Sequence, residues 1–119
     1  MIVAGFGFRG GATLSALQDA LAQAGGPAGV THLATLKTKA AGLEPLARLL
    51  DLPLVALDPA ALRGIPTPTQ SARVQGQFGT GSVAEAVALA AAGQGARLWG
   101  PRAVSADRMA TAAIAEAAG

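Results

Sequence analysis

The sequence contains no cysteine and only one histidine in 119 residues. Without cysteine the chain can form neither a disulfide nor a thiolate nucleophile, and it cannot build a cysteine-ligated zinc or iron–sulfur site. The single histidine, His32, cannot assemble a histidine-rich metal site, and it lies in the apolar, β-branched run VTHLATL, where we expect a structural role. The sequence therefore predicts a protein without a bound metal.

Aromatic residues are scarce, and neither sign of charge dominates. There is no tyrosine, with three phenylalanines and one tryptophan, and nine basic against seven acidic residues give a formal net charge of +2. Proteins that bind nucleic acid usually combine clustered lysine and arginine with aromatic side chains that stack on the bases. We therefore expect no nucleic-acid partner.

Long uncharged apolar segments are also missing. No such stretch is long enough to span a bilayer, and the N-terminus reaches Arg9 after eight residues without a basic leader. Hydrophobic residues make up 51% of the chain and charged residues 13%, a balance typical of a compact globular protein. We expect one domain over residues 1–119, no contact with a membrane and a cytoplasmic location.

Four apolar runs predict strands that alternate with helices. The strands are expected at 2–6, 30–36 and 53–57, and in ARLW after Gly95. The alanine-rich segment ATAAIA near the C-terminus is compatible with either a helix or a buried strand.

Capping residues and leucine spacing predict helices between these strands. Thr13 caps a helix that ends at Gly25, leucines over 43–50 mark a second helix, and Ser82 begins a third. The segment DPAAL predicts a short helical turn, and RGIPTPTQSA, with two prolines, predicts a surface loop. The alternation predicts an α/β fold, a layered α/β/α single domain with a small, mixed and mostly parallel central sheet of about five strands.

The segment GFGFRGGAT carries a glycine pattern between a strand and a helix. Gly5, Gly7 and Gly10 satisfy G-x-G-x-x-G, which in this setting can bind a dinucleotide. A dinucleotide site also needs an acidic residue about twenty positions further on, and no aspartate or glutamate stands between Asp19 and Glu44. We therefore expect no cofactor, and we keep a small nucleotide-binding domain that uses this loop as an alternative.

The same loop has the chemistry of an anion site whatever the ligand is. Glycine N–H groups, the N-terminus of a helix and the guanidinium of Arg9 all favour negative charge. A second loop, Gly79–Ser82, repeats this arrangement before another helix, with the hydroxyls of Thr80 and Ser82 available. Loops that follow parallel strands gather at one edge of a sheet. We expect the two loops to face one crevice that suits a ligand with several carboxylates.

Four blocks carry a family resemblance: GFGFRGGAT, HLATLKTK, GTGSVAEAVAL and ATAAIAEA. In this order they resemble the CobE/CbiG family of cobalamin biosynthesis, in particular the CbiG C-terminal domain, and the resemblance covers essentially the whole chain. The short chain is similar to the standalone CobE type of the aerobic pathway. The resemblance implies that ATAAIA is a strand. It also implies that the partners are a precorrin or corrinoid intermediate, rich in acetate and propionate side chains, and other corrin-pathway enzymes.

Two functions follow from this resemblance. The CbiG type is a cobalt-precorrin hydrolase that opens a ring-A lactone and releases acetaldehyde, whereas the CobE type is needed for the aerobic route at a less defined step. The chain is therefore expected either to hold a polycarboxylate intermediate for other enzymes or to assist lactone opening. Whether it is an enzyme stays open at this point.

The resemblance also implies site residues. Glu85 is the candidate catalytic base, although it stands three residues after Ser82 and fits a capping box equally well. Glu44, five positions after Lys39, replaces the usual nearby acidic residue, and its role is left open. Lys37 and Lys39 alternate with Thr38 at a strand end, which predicts that both point to the same face. The expected substrate-binding residues are Gly5, Gly7, Arg9, Gly10, Lys39, Gly79, Thr80, Ser82 and Arg102.

Overall fold

The computed structural model describes residues 1–118. Its strands are β1 (Ile2–Phe8), β2 (His32–Leu36), β3 (Leu54–Leu57), β4 (Arg97–Leu98), β5 (Ala103–Val104) and β6 (Ala110–Glu116). Its α-helices are α1 (Leu14–Ala24), α2 (Ala40–Leu50), α3 (Ala72–Phe78) and α4 (Val83–Ala92), and short 3₁₀ turns occupy Lys37–Lys39 and Pro59–Leu62.

The six strands form one sheet in the order β3-β2-β1-β6-β4, and β5 also pairs with β6. The first three strands are mutually parallel. Strand β6 runs antiparallel to β1, β4 and β5, so within residues 1–118 it is the one strand of reversed direction. The predicted α/β domain with a mixed central sheet is therefore confirmed, with six strands instead of about five.

Helices cover both faces of the sheet. On one face α1 and α2 pack over a cluster that includes Phe6, Leu17 and Leu43. On the other face α4 packs over a cluster that includes Val3 and Val87. Because neighbouring residues of a strand point to opposite faces, β1 contributes to both clusters and lies at the centre of the molecule.

The two short strands β4 and β5 are halves of one interrupted edge strand. Leu98 lies opposite Ala115 and Ala103 lies opposite Ala112. Four residues, Trp99 to Arg102, therefore face only two on β6, which is a bulge with two extra residues. The sequence predicted a strand at ARLW, and the structure confines it to two residues because the chain leaves the ladder at the bulge.

One strand and one α-helix were not predicted. Strand β5 is only two residues long, and pairing with β6 defines it. Helix α3 begins after Ser71, whose hydroxyl accepts the N–H of Val74 at 3.4 Å. This helix is about two turns long and mostly exposed, so its sequence has no extended apolar repeat to signal it.

Candidate functional site

Basic residues follow the carboxyl ends of the three parallel strands. Arg9 comes directly after β1, Lys37 and Lys39 follow β2, and Arg63 follows the 3₁₀ turn after β3. We call the side of the sheet formed by these four residues and their loops the basic edge. In α/β sheets this is the side at which ligands usually bind.

Lys39 lies over the ring of Phe8, the residue that precedes Arg9. The Nζ atom of Lys39 lies 5.5 Å from the centre of the Phe8 ring, a cation–π contact that draws Lys39 towards the end of β1. Arg9 follows Phe8 directly and is exposed. The loop after it is open, because a side chain added at Gly10 or Gly11 would meet nothing within 4 Å.

The predicted orientation of Lys37 and Lys39 is wrong, because residues 37–39 form a 3₁₀ turn and not an extended strand end. Lys37 turns instead to Asp58, with 3.0 Å between its Nζ atom and Oδ2. Within residues 1–118 the other ion pair joins Arg48 to Glu44 at 3.9 Å. Glu44 thus lies one turn inside α2 and pairs along the helix.

Most cations of the basic edge have no acidic partner. Only the Lys37–Asp58 and Arg48–Glu44 pairs occur in the described part of the chain. Arg9, Lys39 and Arg63 therefore make no salt bridge there, and neither does Arg102. Unpaired guanidinium and ammonium groups on one side of a small protein create a positive potential that attracts polyanions.

Gly5 and Gly7 lie inside β1: Gly5 falls within the predicted strand 2–6, and Gly7 is included because the strand runs two residues beyond its predicted end. A side chain on Gly5 would stand 2.3 Å from the carbonyl oxygen of Ala84 and 2.6 Å from the amide nitrogen of Ala88. Gly5 is buried and lets the backbone of α4 pack directly on β1. At Gly7 an added side chain would meet Thr111 Oγ1 at 3.2 Å. Of the three motif glycines, only Gly10 belongs to the open loop.

The second glycine loop, Gly79–Ser82, is largely buried. Thr80 is 1% exposed, and its hydroxyl donates to the carbonyl oxygen of Ile65 at 2.6 Å. The Ser82 hydroxyl is fully buried and caps α4 by accepting the N–H of Glu85 at 3.4 Å. The Thr80 and Ser82 hydroxyls, which the sequence predicted to be available to a ligand, therefore form hydrogen bonds within the protein in this conformation.

A proline-containing segment, residues 65–71, covers this loop, and we call it the strap. The N–H of Ser71 donates to the carbonyl oxygen of Gly81 at 2.9 Å. A side chain on Gly81 would stand only 2.4 Å from the carbonyl oxygen of Thr69. The Thr67 side chain is buried and donates to the same oxygen at 2.9 Å. The predicted surface loop is thus partly packed against the Gly79–Ser82 loop, with Thr67 buried and Pro68 and Gln70 exposed.

Glu85 is fully buried beneath the strap, where its carboxylate accepts three hydrogen bonds. The N–H and the hydroxyl of Thr69 donate at 3.0 and 2.9 Å, and the N–H of Arg102 donates at 2.7 Å. The carboxylate does not close a capping box with the Ser82 N–H. It joins α4, the strap and the edge-strand bulge, and because it is fully buried a water molecule in the solvent does not reach it in this conformation.

Arg102 is half-buried at the end of the bulge. Its backbone N–H, and not its side chain, donates a hydrogen bond to Glu85. Two further basic residues were not predicted. Arg63 lies over Gly79, and Arg108 precedes Met109, whose carbonyl oxygen accepts the N–H of Arg9 at 2.9 Å. Neither belongs to a motif, so only the folded chain brings them near the predicted residues.

His32 and the acidic residues provide no metal centre. His32 pairs with Val3 in the sheet, at the end opposite the basic edge, and its Nδ1 atom lies 2.7 Å from the Thr31 hydroxyl. Across residues 1–118 no three histidine, aspartate or glutamate residues cluster as metal ligands would. No helix in that range is long and apolar enough to cross a membrane.

Comparison with known proteins identifies the family. The family model described as cobalamin synthesis G C-terminus matches residues 2–115, nearly the whole chain. The chain belongs to the CobE/CbiG family of cobalamin biosynthesis proteins. A search of curated proteins finds no significant match.

Solved structures of CobE/CbiG proteins share this fold. CobE, described as a protein from the cobalamin biosynthetic pathway, is 34% identical with a TM-score of 0.79, over 97% of this chain and 92% of CobE. The cobalamin biosynthesis protein chiG of Agrobacterium tumefaciens is 37% identical with a TM-score of 0.70, and the match spans 100% of both chains. A cobalamin biosynthesis protein G homolog from Sulfolobus solfataricus is 17% identical with a TM-score of 0.73, over 96% of this chain and 36% of that one, which shows a common fold alone.

The four blocks of the CobE/CbiG resemblance meet around β1. The first block forms β1 and the Arg9 loop, and the second forms β2 and the turn with Lys39. The third forms the buried glycine loop and α4, and the fourth forms β6, as the resemblance implied. The blocks therefore supply both the centre of the fold and most of the candidate site.

Proposed function

We propose that this CobE/CbiG family member binds a polycarboxylate precorrin or corrinoid intermediate at the basic edge and holds it for other enzymes of the pathway. The observation that carries the proposal is the group of unpaired cations, Arg9, Lys39 and Arg63, on loops at one side of the sheet. CobE, its structural relative, is described as a protein of the cobalamin biosynthetic pathway.

The chemistry of these cations suits the carboxylates of such a ligand. Arginine presents a planar fork of donors that binds a carboxylate through two parallel hydrogen bonds, and lysine adds a mobile point charge. Each exposed contact contributes roughly 0.2–1 kcal/mol, so several are needed for useful affinity. A macrocycle with carboxylates around its rim meets several cations at once.

Binding is favoured over hydrolysis because of the state of Glu85. A general base must reach the proton that it removes, directly or through one water molecule. The Glu85 carboxylate is fully buried and already accepts three hydrogen bonds from protein donors. Hydrolysis of a ring-A lactone would require this carboxylate to be uncovered or another residue to act as the base.

The test is an absorbance titration of the purified protein with hydrogenobyrinic acid, a cobalt-free corrin polycarboxylate, and with a lactone-bearing precorrin. We expect spectral shifts that saturate with both pigments and no acetaldehyde in the mixture. Release of acetaldehyde would instead establish a hydrolase. Unchanged spectra with both pigments would contradict corrin binding.

Matched variants locate the site. Arg9→Ala and Lys39→Ala should each weaken binding by up to about fivefold, because each removes one contact to a carboxylate worth roughly 0.2–1 kcal/mol. Arg48→Ala is the control, since Arg48 is an exposed cation on α2 that pairs with Glu44. Equal losses in the three variants would indicate attraction by net charge alone and would contradict a site at the basic edge.

A further inference from the structure

A buried carboxylate joins two segments that are far apart in the sequence. Glu85 accepts hydrogen bonds from Thr69, sixteen residues before it, and from Arg102, seventeen residues after it. We propose that Glu85 is a positioning residue: its carboxylate fixes the backbone at Arg102 and thereby aims the Arg102 side chain at the ligand. This inference rests on the proposed function.

The backbone before Arg102 needs such an anchor. In the bulge, Trp99 still donates its N–H to the carbonyl oxygen of Ile114 at 2.8 Å. Gly100 adds conformational freedom, and Pro101 has no N–H to donate. The 2.7 Å bond from the Arg102 N–H to Glu85 is thus the first fixed point after the turn, and β5 begins at the next residue.

The side chains at the two ends of this bond differ in role. Glu85 stands in the first turn of α4, a helix packed directly on β1, so its Cα position is set by the core. The Arg102 side chain makes no salt bridge within residues 1–118 and is only half-buried. The hydrogen bond from the Arg102 N–H to Glu85 therefore holds the Arg102 backbone in place relative to the core, while the Arg102 guanidinium stays available to a carboxylate. Bulges often re-aim a side chain in this way beside functional sites.

The donors around Glu85 define an informative substitution. Three N–H or O–H groups point at the carboxylate, with two of them on Oε2 and one on Oε1. Glu85→Gln keeps the shape but replaces one oxygen by an NH₂ group. Whichever way the amide turns, that NH₂ faces a backbone N–H, that of Arg102 or that of Thr69. An amide that keeps both Thr69 bonds must release the Arg102 N–H.

A double-mutant cycle tests whether Glu85 acts through Arg102. With hydrogenobyrinic acid as the probe, we expect Arg102→Ala to raise Kd about tenfold and Glu85→Gln to raise it about fivefold. The double variant should bind as weakly as Arg102→Ala alone, because the positioning residue has nothing left to position. Losses that multiply in the double variant, or wild-type binding by Glu85→Gln, would overturn the inference.

Loss of stability must be separated from loss of position. Val30→Ala shortens a buried side chain at the opposite end of the sheet, so it lowers stability without touching Glu85 or the basic edge. We expect this control to bind the probe like the wild type. Weakened binding by Val30→Ala as well would assign the effect of Glu85→Gln to general destabilisation and would overturn the inference. Should Glu85→Gln fail to fold, Glu85→Asp, one methylene shorter, takes its place.

A measurement without ligand distinguishes this inference from the proposed function. Hydrogen exchange followed by NMR should show the residue 102 amide protected in the wild type and in Arg102→Ala, and at least tenfold less protected in Glu85→Gln. Unchanged protection of both the residue 102 amide and the Thr69 amide in Glu85→Gln would refute the anchor whether or not the pigment binds. Failure of the wild type to bind the pigment, with the amide pattern as expected, would refute the proposed function and, with it, the role of Arg102 in binding.

Discussion

Gly5→Ala should destabilise the protein far more than the same substitution at Gly10, although both glycines belong to one motif. The added methyl group at residue 5 would stand 2.3 Å from one backbone atom of α4 and 2.6 Å from another, so no side-chain rotation can relieve the clash. At residue 10 it would meet nothing within 4 Å. Helix α4 must therefore move away from β1 in the first variant and need not move in the second.

The structure sets the expected magnitudes. Overpacking a core costs typically 1–3 kcal/mol, and a clash with two backbone atoms of α4 belongs at the upper end, so we expect about 3 kcal/mol for Gly5→Ala. Gly10 does not have a positive φ, and alanine there should change the free energy of unfolding by less than about 1 kcal/mol. Gly7→Ala should fall between the two, because its closest neighbours are side-chain atoms of Thr111 and Val83.

Urea unfolding followed by far-ultraviolet circular dichroism and by fluorescence of Trp99, the single tryptophan, would measure this series. The indole Nε1 donates to Glu116 at 3.1 Å at the end of β6, so its emission reports on the sheet. The expected order of destabilisation is Gly5, Gly7, Gly10. Equal stability of Gly5→Ala and wild type would refute the close packing of α4 on β1. Equal losses of unfolding free energy in Gly5→Ala and Gly10→Ala would contradict the different environments of the two glycines.

Further predictions concern the strap, a helix cap and acid stability. Gly81→Ala should displace the strap from α4, because the added methyl group would lie 2.4 Å from the Thr69 carbonyl oxygen. Limited proteolysis of this variant should then cut within residues 65–71. Resistance of these residues to the protease would contradict the packing of the strap. Ser82→Ala should lower the free energy of unfolding by about 1 kcal/mol, because the variant loses the cap of α4. Urea titration would measure this loss, and an unchanged free energy of unfolding would contradict the cap. Hydrogen bonds from the Ser105 hydroxyl and then the Met109 N–H lower the pKa of Asp107. A lowered pKa in the folded state gives stability that is present above the unfolded value, about 3.9, and is lost as pH falls through the folded value. The difference in urea midpoint between wild type and Asp107→Asn should therefore be present at pH 6 and should shrink as the pH falls below about 3.9, and a constant difference would contradict this role.

Local sequence signals predicted the elements that carry their own periodicity or caps. Thr13 does cap α1, with 3.1 Å between its hydroxyl and the Ala16 N–H, and Ser82 does begin α4. The alanine-rich β6 was ambiguous on propensity, and the family resemblance decided it correctly. Its small side chains lie beside the glycines of β1 and allow helices to approach both faces of the sheet. A propensity scale could not show this, because the reason lies in tertiary packing.

The candidate site was harder to predict from the sequence, for a physical reason. The spacing of Ser82 and Glu85 correctly indicated a helix start, but the partners of the Glu85 carboxylate lie in the strap and at Arg102, and only folding brings them together. Likewise, the spacing of Gly5, Gly7 and Gly10 suggested a ligand loop although the predicted strand 2–6 already contained Gly5, because a strand that continues to Phe8 through a second glycine has no distinct local signal. Arg9 and Lys39 follow the parallel strands β1 and β2 and therefore lie at the same side of the sheet, whereas the Gly79–Ser82 loop, which was expected to face one crevice with the Arg9 loop, is largely buried.

The measurement that tests the account most directly is a ¹⁵N–¹H NMR titration of the labelled protein with hydrogenobyrinic acid, followed residue by residue. The account predicts that the largest shifts lie at the basic edge, on the amides of Gly10, Gly11, Lys39 and Gly64, and that amides near His32 and Trp99, at the opposite end, stay in place. Shifts centred on that opposite end, or none at saturating pigment, would contradict binding of a polycarboxylate corrin at the basic edge.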